Sequence, residues 1–368
     1  MDSRERTFRA LSFEEPDRVP TDVWMSSGFQ RKLEAALGIS ARGFLDAHDV
    51  DLRYIEGPRY IGPALREFPD GSAYDIWGVR RRPVTVRLGD GEEVYWEVAE
   101  SPLAGAATAE EVEAYSLWPS PDWFDYSDIR AQCRRIRDEG RVVVFQGDRL
   151  NRIAQLKPAM YLRGMEQILL DMREDPQRAH AIFHRIRSFY LAYAERIFEA
   201  AGGLLDIVLT GDDFGSQRGP LVSPAMWVAF LGDGFRLYCG LAKSYGARPM
   251  HHTCGSVRLL IPFLIERGLD ILQSLQPEAQ DMDAAMLKRE FGDRLAFHGG
   301  ISIQRTLPFG TPDEVRDEVK AKVQALADGG GYILCTSHNL QADVPVANAV
   351  ALLEAYHEFG RYSVDSDS

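Results

Sequence analysis

The chain has 368 residues, 45% of them hydrophobic, so it can bury a sizeable core and form one α/β barrel without a second domain. Its 55 acidic and 42 basic residues give a formal net charge of −13, which argues against a nucleic-acid-binding surface. The first twenty residues are charged throughout, and no run of about 18 apolar residues occurs. The sequence therefore predicts neither a signal peptide nor a membrane span, and a cytoplasmic protein is expected.

Short β-rich apolar runs alternate with long amphipathic stretches after residue 140, which is the pattern of βα units on a parallel sheet. Helices are predicted over 177–201 from the apolar spacing, and after Ser223 and Thr311 from a capping residue followed by proline. Eight strands are predicted, at 19–25, 51–56, 141–146, 204–210, 247–252, 269–273, 294–299 and 331–335. The expected fold class is α/β, a (β/α)8 barrel of the TIM type.

Residues 57–125 interrupt this alternation. Within them, VTVRLGDGEEVYWEVAES alternates apolar and polar residues around Gly89-Asp90-Gly91, which predicts an antiparallel β-hairpin. We therefore expect an insertion after the second strand that covers the barrel mouth. Residues 1–362 are expected to form a single domain, and 363–368 a disordered tail.

Soft metal ligands follow two of the predicted strands. His252 and Cys254 are two residues apart at a strand end, so they can point to one face, and Cys335 ends the last strand. Four cysteines are too few for a disulfide scaffold, and thiolate and imidazole are ligands of tetrahedral Zn²⁺. The sequence predicts a zinc site of these three residues, with His338 or Asp212 as the replacement if Cys335 cannot reach. Buried cysteines that act only as small apolar residues, with a packed histidine, are the alternative interpretation.

Further polar and aromatic residues are expected at the same rim, because active sites of TIM-type barrels gather at the carboxyl ends of the strands. Asp212 or Asp213 is a candidate general acid or base, although a turn with an acidic helix cap explains the pair equally well. His298 is a candidate catalytic hydrogen-bond donor, with a packed histidine as the alternative. The candidates for substrate contacts are Trp24, Tyr161, Phe214, Gln217 and His338.

Ordered motifs across nearly the whole chain resemble one family. They are RERTFRALSFEEPDRVP, YDIWGV, YLRGMEQILLDMREDP, GDDFGSQRGPLVSPAMW, HHTCGSV, GGISIQRTLPFGTPDEV and CTSHNLQADVPVANAVAL. On these motifs the sequence resembles the uroporphyrinogen decarboxylase superfamily, and within it the zinc-dependent corrinoid methyltransferases. The resemblance implies a TIM-type barrel, zinc bound by His252, Cys254 and Cys335, a small-molecule substrate, and a partner protein that carries a corrinoid.

The decarboxylases of this superfamily carry an arginine-rich stretch near the amino terminus that binds the substrate carboxylates. The corresponding stretch here, VPTDVWMSSGFQRKLEAAL, has only Arg31 and Lys32. The expected activity is therefore zinc-dependent transfer of a methyl group between a small methylated compound and a corrinoid or thiol acceptor. A metal-independent decarboxylase and a non-catalytic barrel that binds a small molecule are the alternatives, and a homodimer is one option for the assembly.

Overall fold

The computed structural model describes residues 1–89, 91–147 and 152–362. The strands are β1 (Leu52–Tyr54), β2 (Arg59–Tyr60), β3 (Ala73–Tyr74), β4 (Arg80–Leu88), β5 (Gly91–Glu100), β6 (Phe124–Asp125), β7 (Val142–Phe145), β8 (Ile207–Gly211), β9 (Arg248–His252), β10 (Ile271–Leu275), β11 (Ala296–Ile301) and β12 (Tyr332–Thr336). The helices are α1 (Ser3–Leu11), α2 (Ser27–Leu37), α3 (Ala41–Ala47), α4 (Ala109–Glu113), α5 (Ile129–Asp138), α6 (Leu156–Arg163), α7 (Met165–Glu174), α8 (Pro176–Ala201), α9 (Pro224–Trp227), α10 (Asp233–Ser244), α11 (Ile261–Glu266), α12 (Ala284–Phe291), α13 (Thr306–Phe309), α14 (Pro312–Leu326) and α15 (Val346–Phe359).

Seven strands form one parallel sheet in the order β1-β7-β8-β9-β10-β11-β12. Strands such as β7 and β8 are buried along their whole length, as in a sheet with both faces covered. Alternate residues of these strands, from Leu52 to Ile333, form one apolar cluster on the inner face of the sheet. The residues of the outer face and of the helices form a larger, separate core. The protein is thus a mixed α/β fold with a curled parallel sheet.

The segment predicted as the first strand makes isolated bridges instead of a regular strand. Thr21 pairs with Leu334 and Met25 pairs with Leu340, both in parallel. On the other side, the N–H of Asp51 donates to the carbonyl of Thr21. Proline at position 20 supplies no N–H, which removes one hydrogen bond that a regular ladder needs. The segment therefore lies between β12 and the residue before β1, an arrangement consistent with a TIM-type barrel.

The other seven predicted strands are confirmed, and their boundaries differ from the predicted ones by no more than three residues. The predicted long helix is α8, and the two predicted helix starts are also confirmed. The side chain of Ser223 accepts from the N–H of Met226, and Thr311 forms a capping box with Glu314 at the start of α14.

The stretch of chain that connects β1 to β7 contains β3, β4 and β5, which form a separate antiparallel sheet. β4 pairs with β5 from Arg80–Glu100 to Leu88–Gly91, so the predicted hairpin is present, although Asp90 of its turn lies outside the described residues. The side-chain amide of Gln341, in the loop after β12, donates to the hydroxyl of Tyr95 at 2.6 Å. The hairpin therefore packs at the edge where β12 ends.

The predicted tail, residues 363–368, lies outside the described residues. Among the residues that are described, no helix combines the length and the apolar character that a bilayer span requires.

Candidate metal centre and active-site cavity

Three side chains of residue types that can ligate a metal converge beyond the ends of β9 and β12. They are His252, Cys254 and His338, whose ligand atoms all lie within 4.8 Å of one another, and we call them the metal triad. His252 Nε2 is 3.4 Å from Cys254 Sγ, and the two imidazole centroids are 5.5 Å apart. Two imidazoles and a thiolate suit a tetrahedral Zn²⁺ that keeps a fourth position for a reactant.

The His252 ring is oriented by a neighbour on β10. Its Nδ1 hydrogen-bonds the side-chain oxygen of Gln273, which can only accept, so Nδ1 carries the proton and Nε2 keeps its lone pair toward Cys254. Burial, followed by the charge of Arg152, lowers the pKa of His252 well below its usual value. The ring is therefore neutral and competent as a ligand.

The Cys254 thiol is protonated when no cation is present. Burial, followed by the nearby carboxylate of Asp213, raises its pKa to about 12. A bound metal cation must therefore displace this proton, and metal binding at the triad is coupled to proton release.

An ion pair lies directly beside the metal triad. Lys157 Nζ is 2.6 Å from one oxygen of Asp213, and the other oxygen is 3.6 Å from His252 Nε2. Burial opposes ionisation of Asp213, but the charge and the hydrogen bond of Lys157 hold the pKa of this carboxyl well below its usual range. Burial likewise opposes the charge on Lys157, and the attraction of Asp213 raises the lysine pKa. Both partners are charged at neutral pH.

Asp212 has a structural role, although the sequence made it a candidate acid. Its buried carboxylate accepts the backbone N–H groups of Gln155, Leu156 and Lys157 at 2.6, 3.1 and 2.7 Å. Burial raises its pKa to about 6, and these three hydrogen bonds oppose that rise. The helix-cap interpretation therefore applies to Asp212, which caps α6, while Asp213 faces the metal triad.

Cys335 does not join the metal triad. It lies inside β12 on the same face as Ile333, whose side chain belongs to the inner cluster, and it is grouped with Asp22 and His298. His298 Nε2 is 2.9 Å from an Asp22 carboxylate oxygen, and all three residues are buried. The predicted grouping of Cys335 with His252 and Cys254 is therefore not what the structure shows. His338, in the loop two residues beyond the end of β12, lies beside His252 and Cys254 instead.

A cavity of about 700 Å³ opens beside the metal triad. Its polar wall includes Arg81, Glu97, Gln146, Arg152, Lys157, Asn339 and Gln341, and its aromatic wall is Trp24, Tyr54, Trp77, Tyr95, Tyr161 and Tyr190. His252 and His338 line it as well. The volume is typical of a site for a small organic molecule. Trp24, Tyr161 and His338, predicted as substrate contacts, lie in this wall.

Phe214 and Gln217 do not lie in the cavity wall, although the sequence predicted substrate contacts for both. Phe214 is fully buried, stacked on His251 at 4.9 Å and in edge contact with Trp227 at 5.6 Å. Its N–H donates to the hydroxyl of Thr253, which turns the ring into the core. Gln217 is exposed. The catalytic assignment of His298 also lacks support from its position, since it does not line the cavity.

Sequence reasoning missed three cationic residues of the wall. Lys157 follows β7, but more than ten residues separate it from the strand end, so no strand-end pattern marks it. Arg152 lies in the same connection. Arg81 belongs to the hairpin insertion, where position along the chain gives no indication of contact with the barrel.

The family model for uroporphyrinogen decarboxylase (URO-D) matches residues 154–359, which is more than half of the chain. The protein therefore belongs to the uroporphyrinogen decarboxylase family.

Relatives in this family include two kinds of enzyme. A methylated-thiol–coenzyme M methyltransferase of Methanosarcina mazei is 23% identical over 200 residues, which are 54% of this chain and 50% of the relative. A uroporphyrinogen decarboxylase of Salmonella agona is 24% identical over 312 residues, 80% of each protein. The chain thus spans about half of that methyltransferase's length.

A solved structure of a methyltransferase from Methanosarcina mazei has the same fold. It aligns with a TM-score of 0.66 and 18% identity, covering 98% of this chain and 99% of that one.

Proposed function

We propose that this protein is a zinc-dependent methyltransferase that transfers a methyl group between a small methylated compound and a corrinoid or thiol acceptor, with the corrinoid on a partner protein. The metal triad is the observation that carries the proposal. Its ligand atoms lie within 4.8 Å of one another beside a cavity large enough for a reactant. The similarity to a methyltransferase of Methanosarcina mazei supports the reaction class.

Zinc held by His252, Cys254 and His338 would supply a Lewis acid for a heteroatom of the reactant. The chain itself supplies the surroundings. Lys157 presents ammonium donors to the cavity, and Asp213 holds that ammonium in place through the 2.6 Å ion pair. The Trp24 ring stacks on His252 with centroids 6.0 Å apart and forms one wall of the cavity.

Decarboxylation is the second candidate, because the decarboxylase of Salmonella agona aligns over 80% of this chain. A tetrapyrrole with many carboxylates needs cationic partners for them, and arginine is the residue that supplies planar bidentate contacts. In this cavity, however, two of the three cationic wall residues are already paired, Arg81 with Asp75 at 2.6 Å and Lys157 with Asp213. We therefore favour methyl transfer. A barrel that binds a small molecule without turnover would contain the same cavity and show no activity with any methyl donor.

Metal content and methyl transfer together test the proposal. The chain is expressed with added zinc, its metal is measured by mass spectrometry, and transfer from methylcobalamin to 2-mercaptoethanesulfonate is followed by absorbance. We expect about one zinc per chain. Cys254→Ser and His338→Ala should each lose zinc and transfer, while the control Cys335→Ser should keep the metal.

Two outcomes would overturn this assignment. A Cys254→Ser protein that keeps zinc and full activity would remove the metal triad from the reaction. A wild-type protein that takes up no zinc yet releases CO2 from a carboxylated substrate would favour the decarboxylase.

We also propose that the segment at residues 19–25 completes an eight-stranded (β/α)8 barrel, and that residues 1–362 are one domain in which the 57–125 insertion covers the mouth. A homodimer stays a prediction that light scattering in solution will test, and the cytoplasmic location stays a prediction from the sequence.

A further inference from the structure

We propose that Tyr54, Asp22 and His298 form a proton relay, in which the Tyr54 hydroxyl passes a proton between a reactant in the cavity and the buried Asp22 carboxylate. Tyr54 is the residue that meets the reactant, and Asp22 and His298 are positioning residues that act through it. This inference rests on the proposed function, because it gives a route for the proton that a thiol acceptor must lose.

A chain of hydrogen bonds leads from the cavity wall into the barrel interior. The indole N–H of Trp24 donates to the hydroxyl oxygen of Tyr54 at 2.5 Å, and that hydroxyl donates to Asp22 Oδ2, also at 2.5 Å. His298 Nε2 is 2.9 Å from the same carboxylate oxygen. Trp24 and Tyr54 line the cavity, whereas Asp22 and His298 lie behind them and are 1% and 0% exposed. Only Tyr54 therefore connects the buried pair to a reactant.

Hydrogen-bond donors surround the Asp22 carboxylate. Its Oδ1 accepts the N–H of Val23 at 2.8 Å, which adds to the contacts that Tyr54 and His298 make with Oδ2. An ionised carboxylate can only accept, so the ring proton of His298 lies on Nε2. Its Nδ1 is buried and has no hydrogen-bond partner among the described residues. Since an unsatisfied buried atom of this kind is uncommon in proteins, the ring is held here for its contact with Asp22.

The carboxyl of Asp213 is the less suitable proton acceptor. Lys157 pairs with it at 2.6 Å and holds its pKa well below the usual range, so it resists protonation. Of the ion pairs in the described part of the chain, only that with His298 includes Asp22. A proton that reaches Asp22 does not have to compete with a lysine or arginine in such a pair.

Tyr54 is suited to pass a proton in either direction. Burial, followed by the negative charge of Asp22, raises the pKa of Tyr54 well above its usual value, so the phenol is protonated at rest. Its oxygen keeps one lone pair after accepting from Trp24. A proton that arrives there displaces the one directed at Asp22. The Trp24 ring lies 6.0 Å from the rings of both Tyr54 and His252, so the relay and the metal triad meet the same cavity.

The proton balance is clear for methyl transfer from a methylated corrinoid to a thiol. The thiol sulfur uses an electron pair to form the S–CH3 bond, and the electron pair of the broken Co–CH3 bond stays on cobalt, which goes from Co(III) to Co(I). The S–H proton moves to the Tyr54 oxygen while the Tyr54 proton moves to Asp22, which becomes neutral. After the thioether leaves, the proton returns through Tyr54 to water in the cavity.

Transfer from methylcobalamin to 2-mercaptoethanesulfonate in mixtures of light and heavy water tests the relay in the zinc-loaded full chain. More than one proton moves in the step, so the wild-type rate should fall along a curve as the deuterium fraction rises. Tyr54→Phe keeps the ring and removes the hydroxyl. It should lower kcat about 100-fold and lose the curvature, with KM and zinc content unchanged. Tyr126→Phe, whose hydroxyl donates to the carbonyl of Pro121 outside the cavity wall, is the matched control and should behave like the wild type.

A second measurement needs no turnover. In the zinc-free chain with isotope-labelled histidine, the proton on His298 Nε2 should give a far-downfield NMR resonance, because a carboxylate accepts it. The resonance is assigned by its loss in His298→Gln. Asp22→Asn should move it upfield, while Asp233→Asn, at an 85% exposed side chain, should leave it in place.

The relay and the proposed function fail on different results. A Tyr54→Phe protein with wild-type kcat and isotope dependence would overturn the relay alone, and lower thermal stability in that protein would make the network structural. A zinc-loaded wild type that transfers no methyl group would overturn the proposed function and the relay with it.

A metal at the buried cluster is the remaining alternative. Asp22, His298 and Cys335 have ligand atoms within 4.8 Å of one another. Burial, followed by the charge of Asp22, raises the pKa of the Cys335 thiol well above its usual value, so this thiol is protonated when no cation is present. A second zinc per chain that is lost in Cys335→Ser would show that the cluster holds a cation, and would overturn the relay.

Discussion

Gln273 orients the imidazole ring of His252 within the metal triad. It lies on β10, and its side-chain oxygen fixes the proton of His252 on Nδ1. Neighbours that orient a ligand in this way typically change metal affinity by about 10- to 100-fold when they are removed.

We therefore expect Gln273→Ala to bind zinc about 10- to 100-fold more weakly, as measured by competition with a chromogenic chelator. The fold should stay intact, because Gln273 is not a ligand. Gln280→Ala, at an exposed position, is the matched control and should bind zinc like the wild type. Wild-type affinity in Gln273→Ala would show that the hydrogen bond does not orient the ligand.

At this scale the sequence predicted the side chains that a regular barrel strand orients. It left open or missed those whose position depends on a loop, on a helix or on the insertion. The two-residue spacing of His252 and Cys254 predicted that both side chains point to the same site, because residues i and i+2 on a strand share a face. The choice between Cys335 and His338 depends on how the chain turns after β12, which no periodicity encodes. The turn after β8 likewise places the Asp212 carboxylate at the start of α6 and the Phe214 ring in the core.

Helix α6 carries Lys157 and Tyr161 into the cavity wall, and its first turn is held by a single carboxylate. Asp212 accepts three of its backbone N–H groups, so the position of Lys157 depends on this cap. Because the cap is buried, water cannot replace it.

Asp212→Ala should therefore lower the free energy of unfolding by about 2–4 kcal/mol, as measured by urea denaturation. Thr311→Ala, at the exposed capping box of α14, is the comparison and should cost only about 1 kcal/mol. Zinc content should be retained in both proteins. Loss of zinc without loss of stability in Asp212→Ala would mean that Asp212 acts as a ligand.

At the level of elements, apolar runs were sufficient to predict the seven strands, because strands that are buried on both faces of a parallel sheet consist mostly of apolar residues. The segment at 19–25 was predicted as a strand on the same grounds, but it contains a proline and a polar Thr-Asp pair, and it forms only isolated bridges. The alternation of apolar and polar residues predicted that β4 and β5 pair. It does not encode where the hairpin packs on the barrel.

Across the whole molecule, one buried acid joins the insertion to the helical layer. Asp171 on α7 accepts hydrogen bonds from Arg163 at 2.7 Å and Arg178 at 2.7 Å. Arg163 also donates to three backbone carbonyls of the connector after the hairpin, at residues 103, 104 and 106. Burial opposes ionisation of Asp171, but the two arginines outweigh it and lower its pKa to about 2.

This carboxyl makes stability depend on pH in a defined direction. Its folded pKa of about 2 lies below the unfolded value of about 3.9, so its contribution is present above about pH 4 and is lost as the pH falls toward 2. Asp171→Asn should cost about 3 kcal/mol at pH 7, because two arginines lose their anion. The difference from wild type should shrink as the pH falls from 4 to 2.

Urea denaturation at several pH values measures this difference. Asp233→Asn, whose side chain is 85% exposed, is the control and should match the wild type throughout. A difference between Asp171→Asn and wild type that stays constant down to pH 2 would show that the carboxyl is not ionised in the folded protein.

The hairpin insertion contributes Arg81, Tyr95 and Glu97 to a cavity whose proposed metal ligands all come from the barrel. Part of the cavity wall and the proposed ligands thus belong to physically distinct parts of one polypeptide. A β4–β5 ribbon of another sequence should therefore change which small molecules the cavity accepts and leave the three proposed ligands in place.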